Sequence, residues 1–303
     1  MVTRWVTLRA TVPAAGSSLR LEGFCAAGLP AATGSPGTLV IRLRGAEDEH
    51  TVALEALAAP DGDARLWFAA AIDIDARPEL GAGTWDLYID SAGAPRRRLA
   101  SSTGPTVGTT HVYPLALGTH HEVRAYVTVA GNVSLTVRPR RSFAEVHAVW
   151  PRDVDASIEG RVVHPTAASG ATNAQLILRD RLSEDEIGVP ATIEGDRFAV
   201  RVELAALSGL HRPDKQVWDL WLRVDGIDED LHLGSHLDDI KNKKKVITFP
   251  AQTSEEGERA RRFRVYYTVG NDLAMTSNRI ALDSEQPARV PAPTPVADDV
   301  LPS

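Results

Sequence analysis

Trp85-Asp86-Leu87-Tyr88-Ile89 occurs a second time, 133 residues further on, as Trp218-Asp219-Leu220-Trp221-Leu222. In an extended strand alternate residues share a face. Trp85, Leu87 and Ile89 therefore lie together, with Asp86 and Tyr88 on the opposite side. The later copy sets Trp218, Leu220 and Leu222 against Asp219, Trp221 and Arg223. The first face of each is expected to pack between sheets, where a buried indole contributes about 3 kcal/mol by area alone. Each copy is followed by a turn (Asp90-Ser91-Ala92-Gly93; Asp225-Gly226) and a strand holding Leu99 or Leu231. Each then reaches an aromatic strand ending at Gly-Asn, Tyr126 to Asn132 and Tyr266 to Asn271.

Around this pair the chain alternates with a period of two. Strands are expected at Thr3–Val12, Leu19–Cys25, Thr38–Arg44, His50–Ala56 and Ala64–Ile74 before Trp85, and at His111–Leu117, Val123–Val129 and Val133–Val137 after it. The pattern restarts at Phe143, with Val146–Trp150, Ala156–Val163, Ala174–Arg179, Glu186–Ile193 and Arg197–Leu204 before Trp218. Lys245–Phe249, Phe263–Val269 and Leu273–Ile280 complete it. The best helical stretches are short, Leu204–Leu210 and the region of Asp238-Asp239-Ile240. Many short strands separated by turn residues indicate an all-β chain. The expected fold is two tandem immunoglobulin-like antiparallel β-sandwich domains from an internal duplication, 1–140 and 141–286. Segment 287–303 is rich in proline and is expected to be a disordered tail or linker.

Length and charge agree with this. A chain of 303 residues suits two domains with proper cores. A net charge of −7 argues against general nucleic-acid binding. Only five of the 33 basic residues are lysine, a bias associated with high-GC genomes such as those of actinobacteria. The single cysteine, Cys25, rules out an intramolecular disulfide and a cysteine-based zinc site. No stretch approaches the ~18 apolar residues of a membrane helix. Arg4, Arg9 and Arg20 interrupt the apolar runs of the N-terminus, so no signal peptide is read and a cytoplasmic location is expected.

No reaction is fixed by these residues. His111, His120 and His121 lie on loop-like segments, and His232, His236, Asp238 and Asp239 match no standard metal spacing. Asp225 to Asp230 and Glu184 to Glu186 read as solvated acidic hairpin tips. There is no nucleophile elbow, P-loop or dinucleotide fingerprint. Neither a catalytic residue, a metal nor a cofactor is expected. The binding candidates are aromatic-plus-acid pairs, Tyr88 with Asp86 and Trp221 with Asp219, the combination that stacks on a sugar ring and bonds its hydroxyls. Partial burial and contact between domains compete with that role. Two basic segments add an anion-binding possibility: Arg96-Arg97-Arg98, centred on Arg97, and Lys243-Lys244-Lys245, centred on Lys244. Each also reads as a solvated loop. The Gly131-Asn132 and Gly270-Asn271 pairs read as turns requiring positive φ.

The order Trp-Asp-Leu-aromatic, hairpin, basic segment, Tyr-x-Thr-x-x-Gly-Asn and Leu-rich strand resembles accessory β domains of actinobacterial glycosyltransferases and of CDP-glycerol-type glycerophosphotransferases of wall-polymer synthesis. The matching residues are Trp85 to Tyr88, Arg96 to Leu99 and Tyr126 to Leu135, then Trp218 to Trp221 and Tyr266 to Asn271. After Asn271 the second copy departs, with Asp272-Leu273-Ala274-Met275 in place of Val133-Ser134-Leu135. The resemblance implies a non-catalytic module near a glycan or polyol-phosphate polymer, with a transferase as partner. The alternative expectation is a structural or protein-interaction scaffold without a glycan ligand.

Overall fold

The computed structural model describes residues 4–13, 16–25, 37–91, 94–103, 111–165, 172–183, 185–208, 214–256 and 259–280. The proline-rich segment 287–303 lies outside them. In chain order the first half holds β1 (Trp5–Thr11), β2 (Ser18–Cys25), β3 (Thr38–Leu43), β4 (Glu49–Ala53), β5 (Glu55–Leu57) and β6 (Leu66–Asp73). It continues with β7 (Gly83–Ser91), β8 (Ala94–Arg98), β9 (Ala100–Ser101), β10 (Val112–Leu117), β11 (His121–Val127) and β12 (Val133–Pro139). The second half holds β13 (Phe143–Pro151), β14 (Asp155–Val163), β15 (Ala174–Asp180), β16 (Glu186–Glu194), β17 (Arg197–Glu203), helix α1 (Leu204–Ser208) and β18 (Lys215–Val224). It ends with β19 (Leu231–Gly234), β20 (Gln252–Glu256), β21 (Arg259–Tyr267) and β22 (Leu273–Ile280). The described part is thus almost entirely β, and none of its helices is long and apolar enough to cross a membrane.

The two strand orders run in step. One sheet of the first half reads β10-β11-β12-β7-β3-β4, and the second half reads β20-β21-β22-β18-β15-β16. The other sheet reads β5-β6-β2-β1-β9 against β16-β17-β14-β13-β19. Both opening hairpins carry a bulge, between Thr7 and Arg9 and between Val146 and Ala148. Opposite each bulge sits a glycine that a side chain would drive into backbone. A Cβ on Gly23 would lie 2.0 Å from the Val6 oxygen, and one on Gly160 2.1 Å from the Glu145 oxygen.

The halves differ in how the sheets join. In the first they are separate layers over one core, which includes Trp85 and the Trp5–Phe68 edge contact. In the second, β16 runs unbroken and β18 pairs with both β15 and β19, so the circuit β15-β16-β17-β14-β13-β19-β18 closes on itself. In the first half the same circuit is interrupted at single residues, Leu54 between β4 and β5 and Leu99 between β8 and β9, both with buried side chains. The expectation of two separate sheets in each half is therefore corrected for the second. Trp218, like Trp85, is buried in its own core.

Two local expectations are also corrected. Lys245–Phe249 is not a strand: residues 243–245 form a single 3₁₀ turn and the edge strand is β20. The Asp238 region consists of bends, not helix. The Gly-Asn pairs, moreover, are not in equivalent register. Thr128 and Thr268 open matching turns, receiving the amides of Asn132 and Asp272 on Oγ1 at 3.1 and 3.2 Å. Positive φ falls on Gly131 (78°) in one and on Asn271 (68°) in the other. Glycine and asparagine are the residues that tolerate this conformation. Asp272-Leu273-Ala274 thus stands where Asn132-Val133-Ser134 does, and the apparent departure after Asn271 is a one-residue offset.

The halves touch through the loop after β19. The Leu115 amide donates to the Leu237 oxygen at 2.9 Å. The Arg124 guanidinium donates to the carbonyl oxygens of His236 and Asp238, the latter at 2.8 Å, and to that of Tyr113.

Candidate functional site

The sequence-selected residues divide into engaged and free groups. Asp86 is buried, takes Ser134 Oγ at 2.9 Å, and pairs with Arg44 at 2.6 Å and Arg98 at 2.8 Å. Burial works to raise its carboxyl, but the bonds from Arg44 and Ser134 hold it below the usual carboxylate range. Asp219 is held by Nε and Nη2 of Arg181, the shortest bond being 2.6 Å. The two acids thus sit in the same arrangement, each with an arginine just past the neighbouring strand of the sheet, β3 or β15, and a tyrosine beside it, Tyr126 or Tyr266. Their oxygens serve the fold.

The aromatic partners are engaged as well. Trp221 stacks on His232 with ring centroids 3.3 Å apart, and the Arg179 guanidinium lies 4.8 Å from its ring. Tyr88 has Arg98 at 5.1 Å. Both rings are half-buried and make internal contacts. In the Arg96–Arg98 segment, Arg96 pairs with Glu49 and Arg98 with Asp86, while the exposed Arg97 has no ion-pair partner among the described residues. The lysine run also splits. Lys243 is 1 % exposed, and its ammonium donates to the Ser235 oxygen at 3.0 Å and to Asp238 at 2.5 Å. It is an internal strut. Lys244 is exposed, with its nitrogen 5.8 Å from the Tyr266 ring.

Lys244 stands beside a surface that the sequence reading missed. On the outer face of β18, β22 and β21, Lys215 pairs across to Asn278 and Val217 to Thr276. On the other side Arg262 faces Asn278 and Arg264 faces Thr276. Small residues thus form a floor, and long cations rise on both sides. Two hollows of about 190 and 380 Å³ follow this floor and share Arg264 and Thr276. Tyr266 and Phe249 line the larger one. Lys215, Arg262, Arg264 and Lys244 are exposed, and none has an ion-pair partner among the described residues. Outward residues on one strand recur about every 6.7 Å, so the cations form a spaced row. The signal in sequence was Arg262-x-Arg264-x-Tyr266, alternating with buried Phe263, Val265 and Tyr267. It becomes a site only when Lys215 and Lys244 are placed beside it.

No protein-family model matches this chain. No curated protein matches it either. Among solved structures, S. aureus TarS is similar at 11 % identity with a TM-score of 0.39, covering 59 % of this chain and 30 % of TarS. A fragment of S. aureus TarS, its residues 217–571, is similar at 12 % identity with a TM-score of 0.37, covering 67 % of this chain and 56 % of the fragment. The chain thus spans less than two thirds of either structure.

Proposed function

We propose that this chain is a non-catalytic binding module for an anionic polymer, held in the groove on the outer face of β18, β22 and β21. The observation that carries this reading is the row of four exposed cations without ion-pair partners among the described residues, on a protein whose net charge is −7. Elsewhere many arginines are neutralised by carboxylates. Cations left free around a groove floored by small residues meet a linear polyanion at low desolvation cost, and attract it over about 10 Å at ordinary ionic strength. A wall polymer with phosphate or carboxylate in each repeat, and a transferase acting on it, fit both this chemistry and the resemblance drawn from the sequence. Within this reading the chain is a duplicated pair of immunoglobulin-like units meeting near residue 140. Of the residues singled out in sequence, Lys244 belongs to the groove.

Binding of the full chain to poly(glycerol phosphate) and to neutral dextran tests this. The polyanion is expected to bind, and to weaken as salt rises. The R262A/R264A double variant is expected to lose affinity about tenfold or more while remaining folded. Equal binding by that variant, or no binding of the polyanion at low salt, overturns the reading.

A protein-interaction scaffold is favoured by a different observation. Trp150 is 55 % and Val154 66 % exposed on the β13–β14 hairpin, which suits an apolar contact. A molar mass that rises with concentration and is restored to that of the monomer by Trp150→Ala would support this second reading.

A further inference from the structure

We propose that the cleft between the two halves is a separate binding site for a small hydroxylated anion, a polyol or sugar bearing one phosphate or carboxylate, which bridges them. The cleft measures about 570 Å³ and draws its walls from both halves. One wall is the outer face of β11 and β12, with Tyr126, Thr136 and Arg138; the other is Lys241, Asn242 and the turn at Asn271. That volume lies within the usual range for small-molecule sites.

The lining chemistry selects the ligand. Four cationic side chains, Arg124, Arg138, Arg141 and Lys241, face two carboxylates, Glu122 and Asp272. Both carboxylates have partners: Arg141 lies 2.9 Å from Glu122, and His236 lies 3.2 Å from Asp272. Arg124 is committed to backbone carbonyls. Arg138 and Lys241 remain, one from each half, without ion-pair partners among the described residues. An anion between them would be held by both halves at once.

The second requirement comes from oxygens left wanting a donor. Glu122 is 3 % exposed; Arg141 satisfies its Oε1, while Oε2 is buried and receives no hydrogen bond in the described structure. Asn242 Oδ1, on the facing wall, is buried and unmatched in the same way. A buried acceptor without a donor costs about 1–3 kcal/mol. Both atoms lie at the wall out of reach of solvent, so a hydroxyl set some way from the anionic group would reach them after a side-chain rotation, whereas a compact anion held between Arg138 and Lys241 would not. The pairing of free cations with hungry acceptors therefore fits a molecule carrying both functions. This site shares no lining residue with the groove on β21 and β22.

Calorimetric titration of the full chain with glycerol 3-phosphate, glucose 6-phosphate, glucose and inorganic phosphate tests the assignment. At least one of the two phosphate esters is expected to bind about tenfold or more tightly than either glucose or phosphate, and to raise the melting temperature with concentration. Arg138→Ala and Lys241→Ala, both surface changes, are each expected to weaken it about fivefold or more. The R262A/R264A variant is expected to bind it unchanged, which separates failure here from failure of the groove reading. Phosphate binding as tightly as both esters, no binding of either ester at millimolar concentration, or ester affinity unchanged in both cleft variants overturns the proposal.

Discussion

The outer faces of β11–β12 and of β21–β22 are built on one plan and have met different fates. Tyr126, Arg124 and Thr136 correspond to Tyr266, Arg264 and Thr276, each 140 positions on. In the first half the loop after β19 docks on this face. There burial lowers the Arg124 guanidinium below its ordinary value, against the pull of nearby Asp238 and Glu122, and its donors close on two carbonyl oxygens of that loop. In the second half the described residues leave the face open and Arg264 exposed. The covered face shows what such an arginine does when something rich in oxygen arrives. Charge then sharpens the contrast, because Glu122 stands on the covered face where Arg262 stands on the open one.

The largest expected effect concerns how the covering loop is held. In the first half Val6 packs its apolar side chain beside the bulge; in the second, Glu145 occupies the matching place. Its carboxylate, 4 % exposed, accepts the His236 amide at 2.7 Å, the Leu237 amide at 3.3 Å and Ser235 Oγ at 3.3 Å. Glu145→Val would copy the first half and leave two part-buried amides without an acceptor. A loss of about 3 kcal/mol is expected, read from urea unfolding. Amide exchange at His236 and Leu237 should accelerate along with it, and unchanged protection would break the comparison. Next comes the clamp itself. Arg124→Ala is expected to cost about 2 kcal/mol, since it strips three carbonyl oxygens of a charged donor. Arg264→Ala should stay within about 0.5 kcal/mol, as for other surface changes. Equal costs for the two would mean that the faces do not differ as described.

These contrasts mark what could be read without coordinates. The strand pattern and the burial of Trp85 and Trp218 were legible, because a period of two and a repeated indole report directly on a core. The closed circuit was not, since a single residue such as Leu54 decides whether a strand breaks, and nothing in its identity announces that. Lys243 and Lys244 are neighbours in one basic run, yet one is an internal strut and the other a surface charge. Composition cannot separate them, because the difference lies in which carbonyls the loop turns inward. Asp86 and Asp219 were selected for their repetition beside an aromatic ring, a pattern that does not reveal the arginines holding them. Arg44 and Arg181, which claim them, lie 42 and 38 positions away in sequence, and Arg98, only 12 positions after Asp86, read as part of a solvated loop.

Those two acids supply the smallest and most discriminating contrast. Asp86 gathers Arg44, Arg98 and Ser134, whereas Asp219 has Arg181 and faces Ala274 across the sheet. A carboxyl held below its ordinary value in the fold binds a proton less readily there than in the unfolded chain. Unfolding then takes up a proton as pH falls below about 4, and the stabilisation, complete above that pH, fades as pH drops through the depressed folded value. Asp86→Asn should therefore cost about 1 kcal/mol at neutral pH and make stability less steep on the acid side. Asp219→Asn, a third exposed, should cost less than about 0.5 kcal/mol. Urea midpoints collected from pH 7 to pH 3 decide the matter: if both variants follow the wild-type slope, the buried network around Asp86 is not what distinguishes the first half.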